Sequence, residues 1–450
     1  MQEPQIRISK APGIGSLPRR SPRVGESATP CSSLHAPCIE IALLTGGGDK
    51  PYALGLAAAL TSVGIHVDFI GSDESNVPEL LNDPQVNFLN LRGDQRPEAS
   101  RMAKTLRVLS YYVRLIRYAA TARPDLFHIL WNNKFLFFDR TLLMLYYRIL
   151  GKKITFTVHN VNAGMRDLND SFLNRFSLKI QYHLCHHIFV HTERMKSELV
   201  SDFCIAESKV SVVPFGINNT VPNTTLSIAE AKRQLGIRES DRTLLFFGNI
   251  APYKGLEYLI SALTELLKND QRYRLIIAGK PKGSDEYWKQ IHQAISRSGI
   301  GNWVSQRIEY IPDEETELFF KAADVLILPY TRIFQSGVLF LGYSFGLPAI
   351  AADVGTLKEE IIEGQTGFVF KPQNSSDLAK VIGKYFESEL FRKLESRRTT
   401  SGPEGPTTRR EIQEYANEGY SWDKVAAITT AVYFGLLRST EDRGRKAEGR

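Results

Sequence analysis

The 450-residue chain contains only four cysteines, and their positions exclude two common structural roles. None of them forms the paired spacing that is typical of a zinc site or of a disulfide framework. The simplest interpretation is a reducing, cytoplasmic setting. The four residues are Cys31, Cys38, Cys185 and Cys204.

Long apolar segments are also absent. No uninterrupted stretch reaches the about 18 apolar residues that a membrane-spanning helix requires. The nearest candidate, FLFFDRTLLMLYYRIL, is interrupted by Asp139 and Arg140. The first residues are polar, proline-rich and basic, without the apolar centre of a secretory signal. We therefore expect neither a signal peptide nor a transmembrane helix.

Positive charge is in excess, with a net charge of +7 and a pI of about 9.0. Such a balance favours anionic partners, which include nucleotides, phospholipids and nucleic acid. Both ends of the chain are rich in arginine and account for part of this charge. No recognisable nucleic-acid-binding module accompanies it, so we expect no nucleic-acid partner.

The pattern of apolar segments predicts an α/β chain with two doubly wound, Rossmann-like domains in series. The first begins with CIEIALLTGGGDKPYALGLAAALTSVGIHVDFIGS, which has the order strand, glycine turn, helix, strand. Continuous apolar runs are typical of parallel strands that are covered on both faces. The predicted strands that follow are DLFHILW, KITFTVH, HHIFVHT and KVSVVPFG, then TLLFFGN, YRLIIAG, RIEYIP, VLILPY, LPAIAA and GFVFK.

Composition places the boundaries of these parts. We predict a disordered tail over residues 1–37, a first domain over 38–218 and a second over 219–415. The segment 416–438 is predicted to be a helix that crosses back to the first domain. A basic tail, 439–450, ends the chain.

The stretch FFGNIAPYKGLEYLI, residues 246–260, predicts an anion site. Here a strand ends in a glycine turn and a helix begins at once, so the N–H groups of the first helical turn face the space beyond the strand. Lys254 lies where a cation could join them, although a solvated surface lysine is the alternative. Because a lysine at a helix start opposes the helix dipole, we favour the bound anion.

Four stretches resemble the nucleotide-sugar-dependent glycosyltransferases of the GT-B fold, family 4 (group 1). They are LLFFGNIAPYKGLEYLISAL, then RLIIAGKP with RIEYIPDEETELFFKAADVLILPY, then FGLPAIAADVGTLKEEIIEGQTGFVFKPQNSSDLAKVI, and in the first half ITFTVHN with VSVVPFGIN. The resemblance covers residues 39–437. It implies that the nucleotide donor binds the second domain, that the acceptor binds the first, and that reaction occurs in the cleft which the two domains face.

The resemblance assigns Lys254 to the donor diphosphate, where it offsets the charge of the leaving nucleotide. Asn249 stands where the family usually has a second cation, an arginine, so we expect Arg332 to supply charge. The family also has two glutamates, eight positions apart, at places that Ile333 and Leu341 occupy here. Their loss leaves open a catalytically inactive relative.

His159 follows a predicted parallel strand, and the resemblance places it beside the reacting sugar. A structural, hydrogen-bonded histidine is the alternative, and the turn Gly46–Gly48 could equally be an ordinary tight turn. We predict His159 and Lys254 as catalytic. The predicted donor-binding residues are Gly47, Gly248, Asn249, Lys254, Gly279, Tyr310, Ile311, Arg332, Gln335, Ser336, Gly337 and Val338. The predicted acceptor-binding residues are Gly48, Tyr52 and Asn160.

We expect no metal and no other cofactor. His183, His186, His187 and His191 span a change from helix to strand, so they need not share a face, and a structural role is expected. The chain has no Asp-x-Asp, the metal-holding motif of the other large glycosyltransferase fold.

These inferences predict a hexosyltransferase that acts on a saccharide or lipid-linked saccharide with a nucleoside diphosphate sugar as donor. Retention of the anomeric configuration is what the resemblance implies. The basic and aromatic run over residues 107–153 predicts helices packed on a sheet, or a face that rests on an anionic membrane. The alternatives are an inactive sugar-nucleotide-binding partner of another transferase, and an epimerase or phosphorylase on the same double fold.

Overall fold

The computed structural model of the chain describes residues 39–96, 99–162, 164, 170–217, 221–283, 285–333, 335–396 and 407–448. The predicted tail over 1–37 lies outside these residues. None of the described helices is both long enough and apolar enough to cross a bilayer.

The first half of the described chain forms a parallel sheet of seven strands. The strands are β1 (Glu40–Leu44), β2 (His66–Gly71), β3 (Val86–Asn90), β4 (Leu126–Ile129), β5 (Lys153–Val158), β6 (His187–Val190) and β7 (Val210–Val212). Their order is β3-β2-β1-β4-β5-β6-β7. The helices are α1 (Lys50–Ser62), α2 (Pro78–Leu81), α3 (Arg101–Thr121), α4 (Leu136–Phe138), α5 (Met144–Ile149), α6 (Phe172–Leu184) and α7 (Glu193–Phe203), with a π-helical segment, Asp139–Leu143, between α4 and α5.

The second half forms a parallel sheet of six strands. These are β8 (Arg242–Phe247), β9 (Tyr273–Ala278), β10 (Val304–Arg307), β11 (Val325–Leu328), β12 (Ala349–Ala352) and β13 (Gly367–Phe370). Their order is β10-β9-β8-β11-β12-β13. The helices are α8 (Ile228–Gln234), α9 (Leu256–Leu266), α10 (Glu286–Arg297), α11 (Asp313–Ala322), α12 (Gly337–Ser344), α13 (Ser375–Glu387), α14 (Glu389–Ser396), α15 (Thr407–Gly419) and α16 (Trp422–Glu448). The predicted fold class is thereby confirmed.

Apolar clusters cover both faces of each sheet, which explains the continuous apolar runs. In α9, the buried residues Leu256, Leu259, Ile260 and Leu263 recur at helical spacing and pack on β8 and β9. The central strands β1, β4, β8 and β11 are accordingly buried along nearly their whole length.

The structure differs from the sequence prediction at three elements. The strand β3 was not predicted, and β10 ends at Arg307, where the predicted strand RIEYIP begins. Both are edge strands, so each has one neighbour and carries polar side chains that break the apolar run. The last helix, α16, continues to Glu448 instead of ending near Leu437.

The helix α16 packs against α1 of the first sheet. Its first residue, Trp422, donates from Nε1 to the carbonyl of Ile217 at 2.9 Å, and the N–H of Ile217 donates to the carbonyl of Tyr420 at 3.0 Å. The two segments that connect the halves of the chain therefore lie side by side. The boundaries at 218 and 415 remain predictions.

Candidate active site

Four segments meet at the carboxyl edge of the first sheet. They follow β1, β4, β5 and β6 and carry the glycine turn, Trp131, His159 and His191. His159 and His191 follow directly on Val158 and Val190, which are register partners in neighbouring strands. This edge is where open parallel sheets bind ligands.

The ring of His159 is held on three sides. It stacks on Trp131, with ring centres 4.2 Å apart and an interplanar angle of 3°. Tyr52 meets it edge to face at 4.8 Å. Nδ1 of His159 lies 3.0 Å from Nε2 of His191, whose Nδ1 lies 3.2 Å from the carbonyl oxygen of Val213. Tyr52, predicted to contact the acceptor, is buried within this cluster.

These contacts determine where the protons of the two rings lie. Burial lowers the pKa of His191 to about 4 and holds that of His159 well below its usual range, so both rings are neutral at pH 7. A carbonyl only accepts, so Nδ1 of His191 carries the proton and its Nε2 accepts from Nδ1–H of His159. Nε2 of His159 is then a hydrogen-bond acceptor, buried and without a protein partner among the described residues.

The turn Gly46–Gly48 lies against two side chains of this edge. A Cβ on Gly48 would lie 2.0 Å from the ring of Trp131, and one on Gly47 would lie 1.8 Å from a guanidinium nitrogen of Arg92. Gly47 also has a φ of 78°. Gly48 therefore requires glycine because a side chain would collide with the indole ring, whereas Gly47 requires it because of its positive φ, since the end of the Arg92 side chain could move aside.

In the second half, Lys254 lies inside the protein and not on its surface. It is 5% exposed and donates from Nζ to the hydroxyl of Tyr330 at 2.5 Å, while its ammonium lies 4.0 Å from the centre of that ring. Gly255 makes this possible: its φ is 64°, and a Cβ there would lie 2.0 Å from the carbonyl oxygen of Pro329. The loop after β8 is thereby pressed against the segment after β11.

The turn before α12 is linked to Lys254 through Tyr330. The hydroxyl of Tyr330 lies 3.3 Å from Oγ of Ser336, a buried residue. Val338 approaches Gly248, where an added Cβ would lie 3.4 Å from Cγ2 of the valine. The predicted donor residues of this turn and of the loop after β8 are thus neighbours.

Gly248 and Gly279 bring the ends of β8 and β9 close together. A Cβ on Gly279 would lie 1.8 Å from the carbonyl oxygen of Gly248, so the ends of β8 and β9 approach more closely than side chains allow. Both residues have positive φ, 97° for Gly248 and 147° for Gly279.

Phe215 joins the two halves of the site. It follows β7 and packs on His191, with ring centres 5.0 Å apart, and on Tyr52 at 5.2 Å. On its other side it stacks on Phe340 of α12 at 5.7 Å. A Cβ on Gly337 would lie 3.8 Å from its ring. The histidine cluster and the start of α12 therefore lie on opposite sides of one aromatic ring.

The remaining predicted residues lie at the periphery of this arrangement. Asn249 and Arg332 are exposed, and Asn160 is half-buried. Tyr310 is 64% exposed, with the ammonium of Lys280 5.3 Å from its ring centre. The side chain of Ile311 is buried in the core, so only its backbone is available to a ligand.

Sequence reasoning missed Glu360. This buried carboxylate accepts from Nε2 of Gln335 at 3.3 Å and from the hydroxyl of Tyr420. Burial raises its pKa to about 7. Ile333 and Leu341, which replace the two glutamates of the family, are packed against the core. A carboxylate thus reaches the turn before α12 from the segment between β12 and β13, which lies in a stretch that resembles the family but in which no role was predicted for Glu360.

The four histidines considered for metal binding have separate partners. His183 contacts the carbonyl of Lys179, His186 contacts Arg148, and His187 contacts Ser211. His191 alone belongs to the site, through His159. Its position after the strand next to β5 was the available signal. Over the described part of the chain, no group of three or more His, Cys, Asp or Glu could hold a metal ion.

Two family models match consecutive parts of the chain. Residues 46–220 match Glycosyltransferase Family 4, and residues 227–402 match Glycosyl transferases group 1. A D-inositol 3-phosphate glycosyltransferase from Streptomyces bingchenggensis is 27% identical over 257 residues, 56% of this chain and 53% of that protein. An uncharacterized glycosyltransferase from Methanocaldococcus jannaschii is 26% identical over 255 residues, 56% of this chain and 60% of that protein. The matched segments span little more than half the length of these relatives.

Solved structures share the arrangement of two sheets. Sucrose-phosphate synthase from Thermosynechococcus elongatus superposes with a TM-score of 0.70 at 18% identity, covering 89% of this chain and 100% of that one. Anabaena HepE, in complex with UDP and glucose, gives a TM-score of 0.67 at 17% identity, with 88% and 100% covered. At such low identity, these likenesses establish the fold.

Proposed function

Because the chain belongs to the group 1 glycosyltransferases of family 4, we propose that it transfers a hexose from a nucleoside diphosphate sugar to a saccharide or lipid-linked saccharide. One observation carries the proposal. Lys254, Tyr330 and Ser336, each in contact with the next, lie on one side of Phe215. The hydrogen-bonded histidines His159 and His191 lie on its other side. This arrangement supports a site that combines a cation for a leaving phosphate with an acceptor for a sugar hydroxyl.

On the donor side, Lys254 and the backbone N–H groups of the turn Gln335–Val338 hold the diphosphate. Negative charge grows on the phosphate oxygen as the bond to the sugar breaks, and a cation fixed beforehand by a ring and a hydroxyl stabilises that charge without reorganisation. Because Gly248 and Gly279 have no side chains, the backbone at these positions can approach the diphosphate closely. Arg332 supplies further charge, and Tyr310 with the backbone of Ile311 lies beside the base. HepE binds UDP-glucose, so a uridine diphosphate sugar is the first donor to test.

On the acceptor side, Nε2 of His159 accepts a hydrogen bond from a hydroxyl of the transferred sugar or of the acceptor. The backbone of Gly47 faces the donor and that of Gly48 the acceptor. Asn160 contributes its amide, and Tyr52 holds the His159 ring through an edge-to-face contact.

The reaction proceeds with retention and without a metal. The bond from C1 to the phosphate oxygen breaks, and a bond from C1 to the acceptor oxygen forms on the same face of the sugar. The proton of the acceptor hydroxyl passes to the leaving phosphate. The anomeric proton coupling of the product tests this, because inversion would exclude the mechanism.

An apolar stripe on α3 supports peripheral contact with the inner face of a membrane. Its residues are Met102, Leu106, Leu109, Val113 and Ile116, all exposed and all on one side of the helix. Phe135, Phe137, Leu142 and Leu145 add further exposed apolar area beside the π-helical segment. Basic residues of α3 surround the stripe, as in helices that lie on anionic lipid. The chain would then act at the cytoplasmic surface, in the synthesis of a cell-surface glycan.

The proposal is tested by release of nucleotide from uridine, guanosine, adenosine and thymidine diphosphate sugars, after thermal-shift screening for binding. We expect one base to be preferred and release to be lost in Lys254→Ala. Binding without release of nucleotide, across donors and acceptors, would favour the second candidate, an inactive binding partner, which the replaced glutamates at Ile333 and Leu341 suggest.

A further inference from the structure

A basic cavity of about 310 Å³ lies in the first half of the chain, between the loop after β3, the helix α3 and the loop after β4. No carboxylate lines it among the described residues. Its volume is several times the roughly 30 Å³ that one water occupies in the liquid, so it has room for a group larger than a solvent molecule. The cations that line it are Arg92, Arg96, Lys104, Arg107 and Lys134.

The cations are positioned by neighbouring groups. Arg92 lies over the ring of Tyr111, 5.8 Å from its centre. Arg107 donates from Nη1 to the carbonyl of Asp94, while its Nε is buried and has no hydrogen-bond partner in the described chain. Fixed guanidinium groups of this kind bind phosphate with paired hydrogen bonds.

The charges of this cavity favour a dianion. The carboxylate of Asp94 is engaged by Arg96 at 2.6 Å, outside the cavity lining. Asp139 lies behind the wall, accepting from Tyr112 at 2.9 Å and from Asn133 at 3.3 Å. Even without Arg96 and Lys104, three cations line the space. A carboxylate carries one negative charge, whereas a phosphomonoester carries about −1.5 to −2 at pH 7.

The cavity also lies between two features of the proposed transferase. At one end, Arg92 abuts Gly47 of the glycine turn at the carboxyl edge of the first sheet. At the other, the cavity residues Lys104 and Arg107 share α3 with the exposed Leu106 and Leu109. A group held here would be joined to the sugar site on one side and to the apolar stripe on the other.

We propose that this cavity binds a phosphate group of the acceptor, so that the substrate class is a phosphate-bearing acceptor. The assignment of the phosphate to an acceptor rests on the proposed transfer reaction, but phosphate binding can be measured without turnover. The phosphate belongs either to a soluble sugar phosphate or to the head group of a lipid carrier. The arms of the test separate these sources.

The first measurement is calorimetric binding of inorganic phosphate and of pyrophosphate to the full chain. Lys254→Ala removes the cation of the donor site, and binding should persist in that variant. Arg92→Gln with Lys134→Gln should weaken binding about tenfold or more, since charge-assisted hydrogen bonds are lost. Arg114→Gln is the matched control, because this exposed arginine lies on α3 outside the cavity. Thermal unfolding of each variant checks its fold.

The second measurement is competition against bound pyrophosphate in the Lys254→Ala background. A soluble sugar phosphate is compared with phosphatidylcholine vesicles that contain a polyprenyl phosphate. Competition by the former assigns a soluble acceptor, and competition by the vesicles assigns a lipid head group. The proposal is overturned if Lys254→Ala alone abolishes phosphate binding, or if the Arg92 and Lys134 double variant binds as the wild type does. If the wild-type chain released no nucleotide from any donor and still bound phosphate in the cavity, the proposed function would be wrong and the proposed phosphate site would stand.

Discussion

Nε2 of His191 accepts a hydrogen bond from Nδ1 of His159 at 3.0 Å, and this contact leaves Nε2 of His159 as the nitrogen that can accept a hydrogen bond. In the proposed reaction His191 would therefore act through His159, as a positioning residue. Its own tautomer is fixed by the carbonyl of Val213.

We predict that His191→Phe lowers kcat about tenfold with a smaller change in the donor KM, because loss of one buried hydrogen bond leaves His159 free to turn. His191→Gln should retain more activity, since its amide oxygen can accept from Nδ1–H. Steady-state kinetics of the two variants measure this difference. Equal loss in both would indicate a packing role alone.

Lys254→Ala should reduce the rate of nucleotide release about 100-fold or more, as expected when one preorganised charge is removed from a transition state. Lys268→Ala is the control, because Lys268 is exposed beyond the end of α9. Single-turnover release of nucleotide is the measurement. An unchanged rate in Lys254→Ala would remove this lysine from the reaction.

Gly255→Ala should destabilise the protein and weaken donor binding together, since the added Cβ would lie 2.0 Å from the carbonyl of Pro329 and the loop that holds Lys254 would move. Gly299→Ala is the matched control: its φ is 67°, close to the 64° of Gly255, but no atom lies within 4 Å of its Cβ. The control should cost about 1 kcal/mol, through the left-handed backbone alone, and leave donor affinity unchanged. Urea unfolding and donor titration give the two quantities, and equal effects in both variants would argue against the contact with Pro329.

Glu360 should make stability fall as the pH rises. Burial raises its pKa from 4.5 to about 7, so the folded state holds the proton more tightly than the unfolded state. The stability that this proton contributes is fully present below pH 4.5 and is lost as the pH rises through about 7. Glu360→Gln should remove this slope and be more stable at pH 8 by up to about 3 kcal/mol. Denaturant unfolding between pH 4.5 and 8 is the check, and parallel curves for the two proteins would contradict the assignment.

Binding to anionic vesicles should fall when the stripe on α3 is made polar. Leu106→Gln with Leu109→Gln removes apolar area that is exposed in the structure, so the loss cannot be attributed to a damaged core. Leu81→Gln is the control, since Leu81 is equally exposed but lies on α2. Vesicle sedimentation measures the binding, which should also weaken with salt. Identical sedimentation of all three proteins would exclude this surface.

Much of the fold was predictable because parallel strands that are buried on both faces have continuous apolar sequences. The two-domain α/β fold and the family resemblance are both confirmed, the latter by the matches over residues 46–220 and 227–402. The edge strand β3 was not predicted and β10 was misplaced, because an edge position tolerates polar side chains that interrupt the apolar run.

The site was harder to predict, because its contacts join segments far apart in sequence. Lys254 and Gly255 belong to a local motif that could be read from the sequence, although their partners Tyr330 and Pro329 lie far along the chain. In contrast, Glu360 reaches Gln335 from beyond β12, and Phe215 meets Phe340 across the two halves. The role of His191 could not be predicted without the strand order, because it is the pairing of β5 with β6 that brings His191 to His159.

The packing of α16 on α1 has a consequence for synthesis of the chain on the ribosome. Val425 and Tyr433 are fully enclosed in the same apolar cluster as Ile41, Leu43 and Leu56. Residues of β1 and α1 thus receive buried partners from residues that are translated much later. Until α16 has been synthesised, one face of α1 stays exposed to water, and the apolar interior around the first sheet remains incomplete.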